Sequence, residues 1–448
     1  AGKTMLYFSG NQIRILEAGV PVPDESESDG SPSRKSGWLD LSRVRIAINY
    51  QDEWSQMFRE AWRLQKEFFW NEQLSGVDWN AVYRRYENLL SRIGSRSELS
   101  DLIWEMQGEL GTSHAYEYGG DYPFSPQYPV GQLGADLEYE PSRKAWVFRK
   151  IYRGDIWRIH QHSPLAEPGQ QVQENDLLLE IGGVPLDGST SPGELLVHQA
   201  GQAVQLTVKT PGKKESKRKI IVKTLIHEGK TRYREWVKQN LKFVEAQSEG
   251  RVGYLHIPDM DTEGIAEFHR GFLSQVDREG LIIDARFNAG GWVSPLVLEK
   301  LTHRHLGYDV PRWGSPESYP YHTLRGHLVL ITNQFTGSDG DMFTASFKQL
   351  KLGKVIGKRT WGGVVGIDGR YQLVDGTTTT QPQYSIWFHH AGWSVENYGV
   401  DPDLVVEDPP QSYSNGMDHQ LKQAVEVIQK ILEEDPLPKI QDFKSNSR

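Results

Sequence analysis

Residues 327–350 read HLVLITNQFTGSDGDMFTASFKQL, and this stretch decides the fold. His327–Thr332 is a short apolar run of strand type, Gly340–Leu350 reads as a helix, and a tight Gly337-Ser338-Asp339 turn joins them. The same rhythm continues outward. Val252–Ile257 and Leu281–Ala285 read as strands, and Thr262–Val276 and Ser294–His305 as helices. A βαβα order implies a mainly parallel sheet covered by helices, whose ligands gather in the loops beyond the strand C-termini. Two glycine-rich loops, 288–291 and 337–340, fall at such ends.

The first candidate for chemistry is Thr336-Gly337-Ser338-Asp339-Gly340-Asp341. A serine behind a glycine at the mouth of a helix can cap the helix N–H groups, or it can be a nucleophile beside an oxyanion site built from those same groups. The second is Asn288-Ala289-Gly290-Gly291, a plain turn or a close backbone approach to a ligand, with an N–H opposite that of Asp339. A serine nucleophile needs a base. His114, in Gly111-Thr112-Ser113-His114-Ala115-Tyr116, follows a helix end from which it can project into a cleft. Glu396, in Glu396-Asn397-Tyr398-Gly399-Val400-Asp401-Pro402-Asp403, is available to orient or stabilise the imidazole.

Upstream, the spacing of Trp54, Phe58, Ala61, Trp62, Phe68 and Phe69, then of Trp79, Val82, Tyr83, Tyr86, Leu89 and Leu90, predicts two helices. A third is expected from an N-cap at Ser97 through Leu99, Leu102, Ile103 and Met106 to a stop at Gly111. Residues 46–128 therefore read as a small helical bundle that delivers His114. Residues 129–226 read as a β domain, with strands at Trp146–Ile151, Asp176–Ile181, Val204–Lys209 and Ile220–Thr224 and a short helix near Gly193–His198. Its phrases Ser163-Pro164-Leu165-Ala166 and Asp176-Leu177-Leu178-Leu179-Glu180-Ile181-Gly182-Gly183 resemble a PDZ domain.

An α/β domain is expected over 227–435, closing with a helix from Asp418 to Leu432. A polar tail, 436–448, reads as disordered. At the other end, residues 4–17 read as a hairpin turning at Gly10-Asn11 and belonging to a neighbouring sheet. The stretch 21–45, with its breaker-rich core PVPDESESDGSPSRKSG, reads as a linker.

Composition narrows the chemistry. Among 448 residues there are 50 Lys+Arg against 59 Asp+Glu, a net charge of −9, which argues against phosphate-driven nucleic-acid binding. The one basic run, Lys213–Lys219, reads as a hairpin tip. No apolar stretch is long enough to span a bilayer. The first residues lack the apolar core of a secretory leader and an initiator Met, which fits processing or a longer parent chain. The absence of cysteine excludes disulfides, thiolate metal sites and a Cys nucleophile. The pairs His160/His162, His303/His305 and His389-His390 lack the spacing of a zinc site, so neither metal nor cofactor is expected.

Taken together, these motifs resemble the tricorn protease family, within the larger class of tail-specific-type serine peptidases. The phrases Ser113-His114-Ala115-Tyr116, Phe287-Asn288-Ala289-Gly290-Gly291, Gly337–Asp341, Arg359–Ile367 and Glu396–Asp403 stand in that family's order across residues 40–430. The resemblance implies a multidomain α+β protein with a crotonase-like peptidase core, in which Ser338 is the nucleophile and His114 the general base. Ser113 and Glu396 complete the tetrad, and the N–H groups of Gly291 and Asp339 form the oxyanion hole. Asp309 falls where the family places an acidic residue, reached from a neighbouring subunit, that favours basic side chains. The resemblance further implies hydrolysis of oligopeptides and unfolded polypeptides, a cytoplasmic homohexamer, and aminopeptidases that finish the products. Residues 4–17 would be the last strands of a preceding β-propeller.

Departures are visible as well. Ala289 opens the glycine run, which leaves open which of Gly290 and Gly291 serves the oxyanion, and Val130-Gly131-Gln132-Leu133-Gly134-Ala135 replaces the usual carboxylate-binding GLGF of PDZ domains. Two other readings remain: a non-catalytic PDZ-containing peptide binder, and a tail-specific protease with a Ser–Lys dyad. Against the dyad, the lysine position of that class is Gly363.

Overall fold

The computed structural model describes residues 2–21, 31–155, 158, 161–212 and 217–440. The lysine-rich tip at 213–216, residues 22–30 of the expected linker, His160 and the tail beyond 440 lie outside them.

The centre is a parallel five-stranded sheet in the order Val252–His256, Gly280–Asp284, His327–Thr332, Gly353–Gly357, Leu404–Val405. Its inner strands are buried on both faces, as continuous apolar runs require. Phe268, Phe272, Phe343 and Phe347 from helices Thr262–Gln275 and Asp339–Gln349 cover one face. Val244, Leu421, Val425 and Ile428 from helices Gly229–Gln247 and His419–Glu434 cover the other. The expected Ser294–His305 helix stops at Thr302, because His303 turns extended and leads into a small hairpin, Gly307–Asp309 against Glu317–Tyr319.

Three helices, Tyr50–Phe68, Trp79–Glu87 and Arg96–Gly108, pack around Met57, Phe58, Leu99, Ile103 and Met106. The third begins earlier than expected. Ser95, not Ser97, is the N-cap, because Glu98 stands three residues on and returns the bond in a capping box. Leu373 and Tyr371 of the α/β region complete this core, so the bundle and the sheet domain share one apolar contact.

The PDZ-like region is antiparallel, in the order Ala135–Glu140, Ala145–Ile151, Leu177–Ile181, Ala203–Lys209, Lys217–Lys223. Its expected helix at Gly193–His198 shrinks to Pro192–Leu195, since Val197 leaves it to bridge Val130. Thr4–Ser9 and Gln12–Glu17 form the expected hairpin. Its third partner is local: Trp38 bridges Arg14, and the buried Ser36 carbonyl accepts Arg14 Nε at 2.8 Å. Residues 31–37 therefore fold back on the hairpin rather than forming a linker.

Candidate active site

Three chain segments converge where the strands end. The first is the turn after His327–Thr332. Ser338 has φ 56° and ψ −120°, and its side chain makes no capping bond to the helix it precedes. A capping serine would be extended and would accept an N–H. Here the hydroxyl is left for the cavity, so the capping reading of this motif does not hold.

The second segment is the loop after Gly280–Asp284. Asn288 Oδ1 accepts the Gly290 N–H at 2.9 Å, its Nδ2 donates to Ile257 O at 2.9 Å, and its carbonyl accepts the Gly337 N–H at 2.9 Å. The asparagine thus braces the glycine loop against the Ser338 turn. Gly291 bridges Met260 in parallel register, with Met260 N donating to Gly290 O and Trp292 N to Met260 O. That register turns the N–H of Gly291 away from Met260. Among the described residues the N–H groups of Gly291 and Asp339 meet no protein acceptor, whereas that of Gly290 is taken. Of the two glycines, Gly291 is the one whose N–H is left without a protein acceptor among the described residues. Both positions need glycine: Gly290 has φ +84°, and a Cβ on Gly291 would stand 2.0 Å from Met260 O.

The third segment carries His114, whose backbone is also left-handed at φ 63°. Thr380 holds it there: its hydroxyl donates to His114 O at 2.6 Å and accepts the Tyr116 N–H at 2.8 Å. Ser113 Oγ lies 2.7 Å from His114 Nδ1 and 3.2 Å from Glu396 Oε2. With Nδ1–H donating to Ser113 and Ser113 donating to Glu396, the Nε2 lone pair faces the cavity. Glu396 also accepts the Ser113 N–H at 2.7 Å, the Val364 N–H at 2.7 Å and Thr112 Oγ1 at 3.1 Å. Burial pushes the His114 imidazole below its ordinary range, and the negative charge of Glu396 pulls it the other way.

His114, Ser338, Gly291, Asn288, Trp361 and Val364 line one cavity of about 660 Å³, at the junction of the helical bundle and the sheet domain. The structure thus brings together Ser338, His114, Ser113, Glu396, Gly291 and Asp339. Asp309 does not line the cavity; it is exposed in its hairpin opposite Glu317. No lysine is among the described lining residues, and Lys358 of the 357–363 phrase pairs with Glu407. The position that a Ser–Lys dyad would use is Gly363, whose N–H donates to Asp341.

Two buried carboxylates next to Ser338 brace the site. Asp339 accepts the N–H and the hydroxyl of Ser294, fastening the Ser338 turn to the Ser294–Thr302 helix, and burial raises its carboxyl. Asp341 accepts the Gly362 and Gly363 N–H groups at 2.9 and 3.2 Å and is pushed up to about 6 by burial. The loop it holds carries Trp361, whose ring packs edge-on to His114. The only advance sign of these roles was an Asp on either side of Gly340.

Residues 251–406 match peptidase family S41, residues 50–108 the tricorn protease C1 domain and residues 131–227 the tricorn protease PDZ domain. The chain is 46% identical over 430 residues to the tricorn protease homolog of Saccharolobus solfataricus, covering 96% of this chain and 39% of that protein. It is 42% identical over 428 residues to the tricorn protease of Thermoplasma volcanium, covering 96% and 40%. The crystal structure of the tricorn protease matches with a TM-score of 0.85 at 36% identity, covering 96% of this chain and 42% of that one. The chain spans about two fifths of the length of these relatives. In sequence, in the order of its three regions and in fold, the chain belongs to the tricorn protease family.

Proposed function

We propose that this chain hydrolyses peptide bonds as a serine peptidase, with oligopeptides and unfolded polypeptides as substrates. The observation that carries the reading is that the Ser338 hydroxyl, left out of helix capping, shares a cavity with a histidine whose Nδ1 is tied through Ser113 to Glu396.

Ser338 Oγ attacks the scissile carbonyl carbon while His114 Nε2 takes its proton. Ser113 and Glu396 keep the imidazole in the required tautomer and stabilise its positive charge. The oxyanion lies between the N–H groups of Gly291 and Asp339, each worth about 3 kcal/mol in the transition state. The C–N bond then breaks, and His114 returns the proton to the leaving amine. Water, deprotonated by the same base, releases the acyl group and restores Ser338.

The base comes from the helical bundle and the nucleophile from the sheet domain, so movement between the two changes activity. Ser338→Ala is expected to lose peptide hydrolysis by at least about 10³-fold while still binding peptide; hydrolysis at the parent rate rejects the assignment.

Three further expectations rest on family membership: assembly as a homohexamer that brings Asp309 to a neighbour's site, work in the cytoplasm, and hand-over of products to aminopeptidases. Light scattering on the purified chain tests the first. A monomer with full activity would remove the need for Asp309.

A further inference from the structure

The active-site cavity carries one carboxylate that the chemistry above does not use. Asp261 is the only acidic side chain among the described residues that line it. It stands at the start of the Thr262–Gln275 helix, where a capping role would be the ordinary explanation. The capping is shared between Asp261, the N-cap residue, and Asp259. Asp259 Oδ1 accepts the Gly264 N–H at 2.7 Å and the Asp261 N–H at 2.8 Å, closing the first turn of the helix. Asp261 Oδ1 receives only the N–H of its neighbour Thr262, at 2.7 Å. Among the described residues no Lys, Arg or His pairs with Asp261, although it is exposed and Lys230 reaches Glu263 two positions on.

Its neighbour across the loop is Trp292, a residue that is 78% exposed and lines the same cavity. Among the described residues this ring stacks on no aromatic side chain and lies under no cation. The backbone segments that carry the two side chains are tied together, and both side chains line the cavity. Trp292 N and Val293 N both donate to Met260 O, at 2.7 and 2.9 Å, and Met260 N donates to Gly290 O at 2.7 Å. A Cβ on Gly291 would lie 2.9 Å from Asp261 N, so the backbone that presents the acid is in contact with the backbone that presents the oxyanion N–H. An open tryptophan face beside an unpaired carboxylate is the arrangement that recognises an organic cation, by ring quadrupole and by charge. Gln334, Trp361 and Tyr384 line the cavity as well, but among the described lining residues only Asp261 offers a carboxylate to such a group.

We propose that Asp261 and Trp292 form a cation subsite of this cavity, binding a positively charged group of the peptide substrate next to the scissile bond. This rests on the serine peptidase reading for the identity of the ligand, but not for the existence of the subsite. The cation has two sources in a peptide: a Lys or Arg side chain, or the free α-ammonium group. Asp261 belongs to the same chain as Ser338, so the subsite needs no neighbouring subunit. Asp309, exposed and outside the cavity, does not replace it.

The test uses the full chain carrying Ser338→Ala, so that binding is read without turnover. Fluorescent pentapeptides with arginine, or its neutral isostere citrulline, at successive positions are titrated by anisotropy, each with a free and an acetylated N-terminus. At one arginine position, or for the free over the acetylated N-terminus, binding is expected to be about tenfold tighter. That preference should vanish in Asp261→Asn, shrink in Trp292→Leu, persist in Asp309→Asn and weaken with added salt. Which pair of peptides shows it identifies the source. No preference for any cation, or a preference that survives Asp261→Asn, overturns the proposal. Labelling of Ser338 by a fluorophosphonate in the parent chain is scored separately. Failure there rejects the peptidase reading, whereas the binding series decides the subsite on its own.

Discussion

Ser338 lies so close to Gly290 that a Cβ on the glycine would stand 2.4 Å from the serine Cβ and 3.0 Å from its Oγ. The backbone of one loop thus forms the wall against which the Ser338 side chain is held, and only hydrogen fits between them. Gly290→Ala is expected to abolish peptide hydrolysis and slow fluorophosphonate labelling by at least about 100-fold, since an ångström of misplacement can cost that much. Labelling at the parent rate would show that the contact does not position Ser338.

The base has its own pH signature. Burial lowers the His114 pKa and Glu396 raises it, so removing the negative charge leaves burial unopposed. In Glu396→Gln the acid limb of the kcat/KM profile should move to lower pH, along with a loss of rate as the Ser113 relay is weakened. A limb that stays in place or moves upward would show that Glu396 does not act on His114.

Asp341 makes a prediction about stability. Its carboxyl is raised from the ordinary 3.8 to about 6 because it is buried, even though it accepts two backbone N–H groups. The folded chain therefore holds a proton that the unfolded chain releases. The stabilisation this brings is full below about pH 4 and lost as pH rises through 6, a swing of about 3 kcal/mol for a shift of this size. Thermal melts from pH 4 to pH 7 should show this component in the parent and not in Asp341→Asn. The variant should also lose activity, because the Gly362 and Gly363 N–H groups bond different oxygens of Asp341 and an amide turns its NH2 toward one of them. Identical pH dependence in the two proteins would contradict the assignment.

The strap between the two halves of the site is ionic. Arg96, buried in the helical bundle, pairs with Glu117 at 2.8 Å and with Asp375 of the sheet domain at 2.7 Å. Close by, Glu117–Tyr118 pairs with Thr378–Thr379. Arg96→Ala leaves two buried carboxylates without their partner and should cost about 3–5 kcal/mol in denaturant unfolding. A loss below about 1 kcal/mol would show that the junction is held by apolar contacts alone.

Much of this architecture was legible in advance, and the misses share a cause. His327–Thr332 was bounded correctly at both ends, because a strand buried on both faces is a continuous apolar run with breakers on each side. The Gly229–Gln247 helix went unassigned: only Thr231, Asn240 and Val244 in it are fully buried, so its apolar face is ill-marked. Ser95 rather than Ser97 caps its helix because Glu98 stands three residues on, a reciprocal spacing that apolar periodicity does not mark. Motif order in the sequence points to Ser338, His114 and Glu396. What joins them was not visible, since Glu396 meets Ser113 across 283 positions and Thr380 meets His114 across 266. Asp261 carries no signal in the sequence, because its meaning depends on Asp259 sharing the cap and on Trp292 lining the same cavity.

The central claim is that Ser338 is a nucleophile activated by His114. The most direct measurement is treatment of the purified chain with a fluorophosphonate probe, followed by mass mapping of the adduct in the parent and in His114→Ala. A single adduct is expected on Ser338, lost or slowed at least about 10³-fold in the variant. An adduct on another serine, or equal labelling of Ser338 without His114, would contradict it.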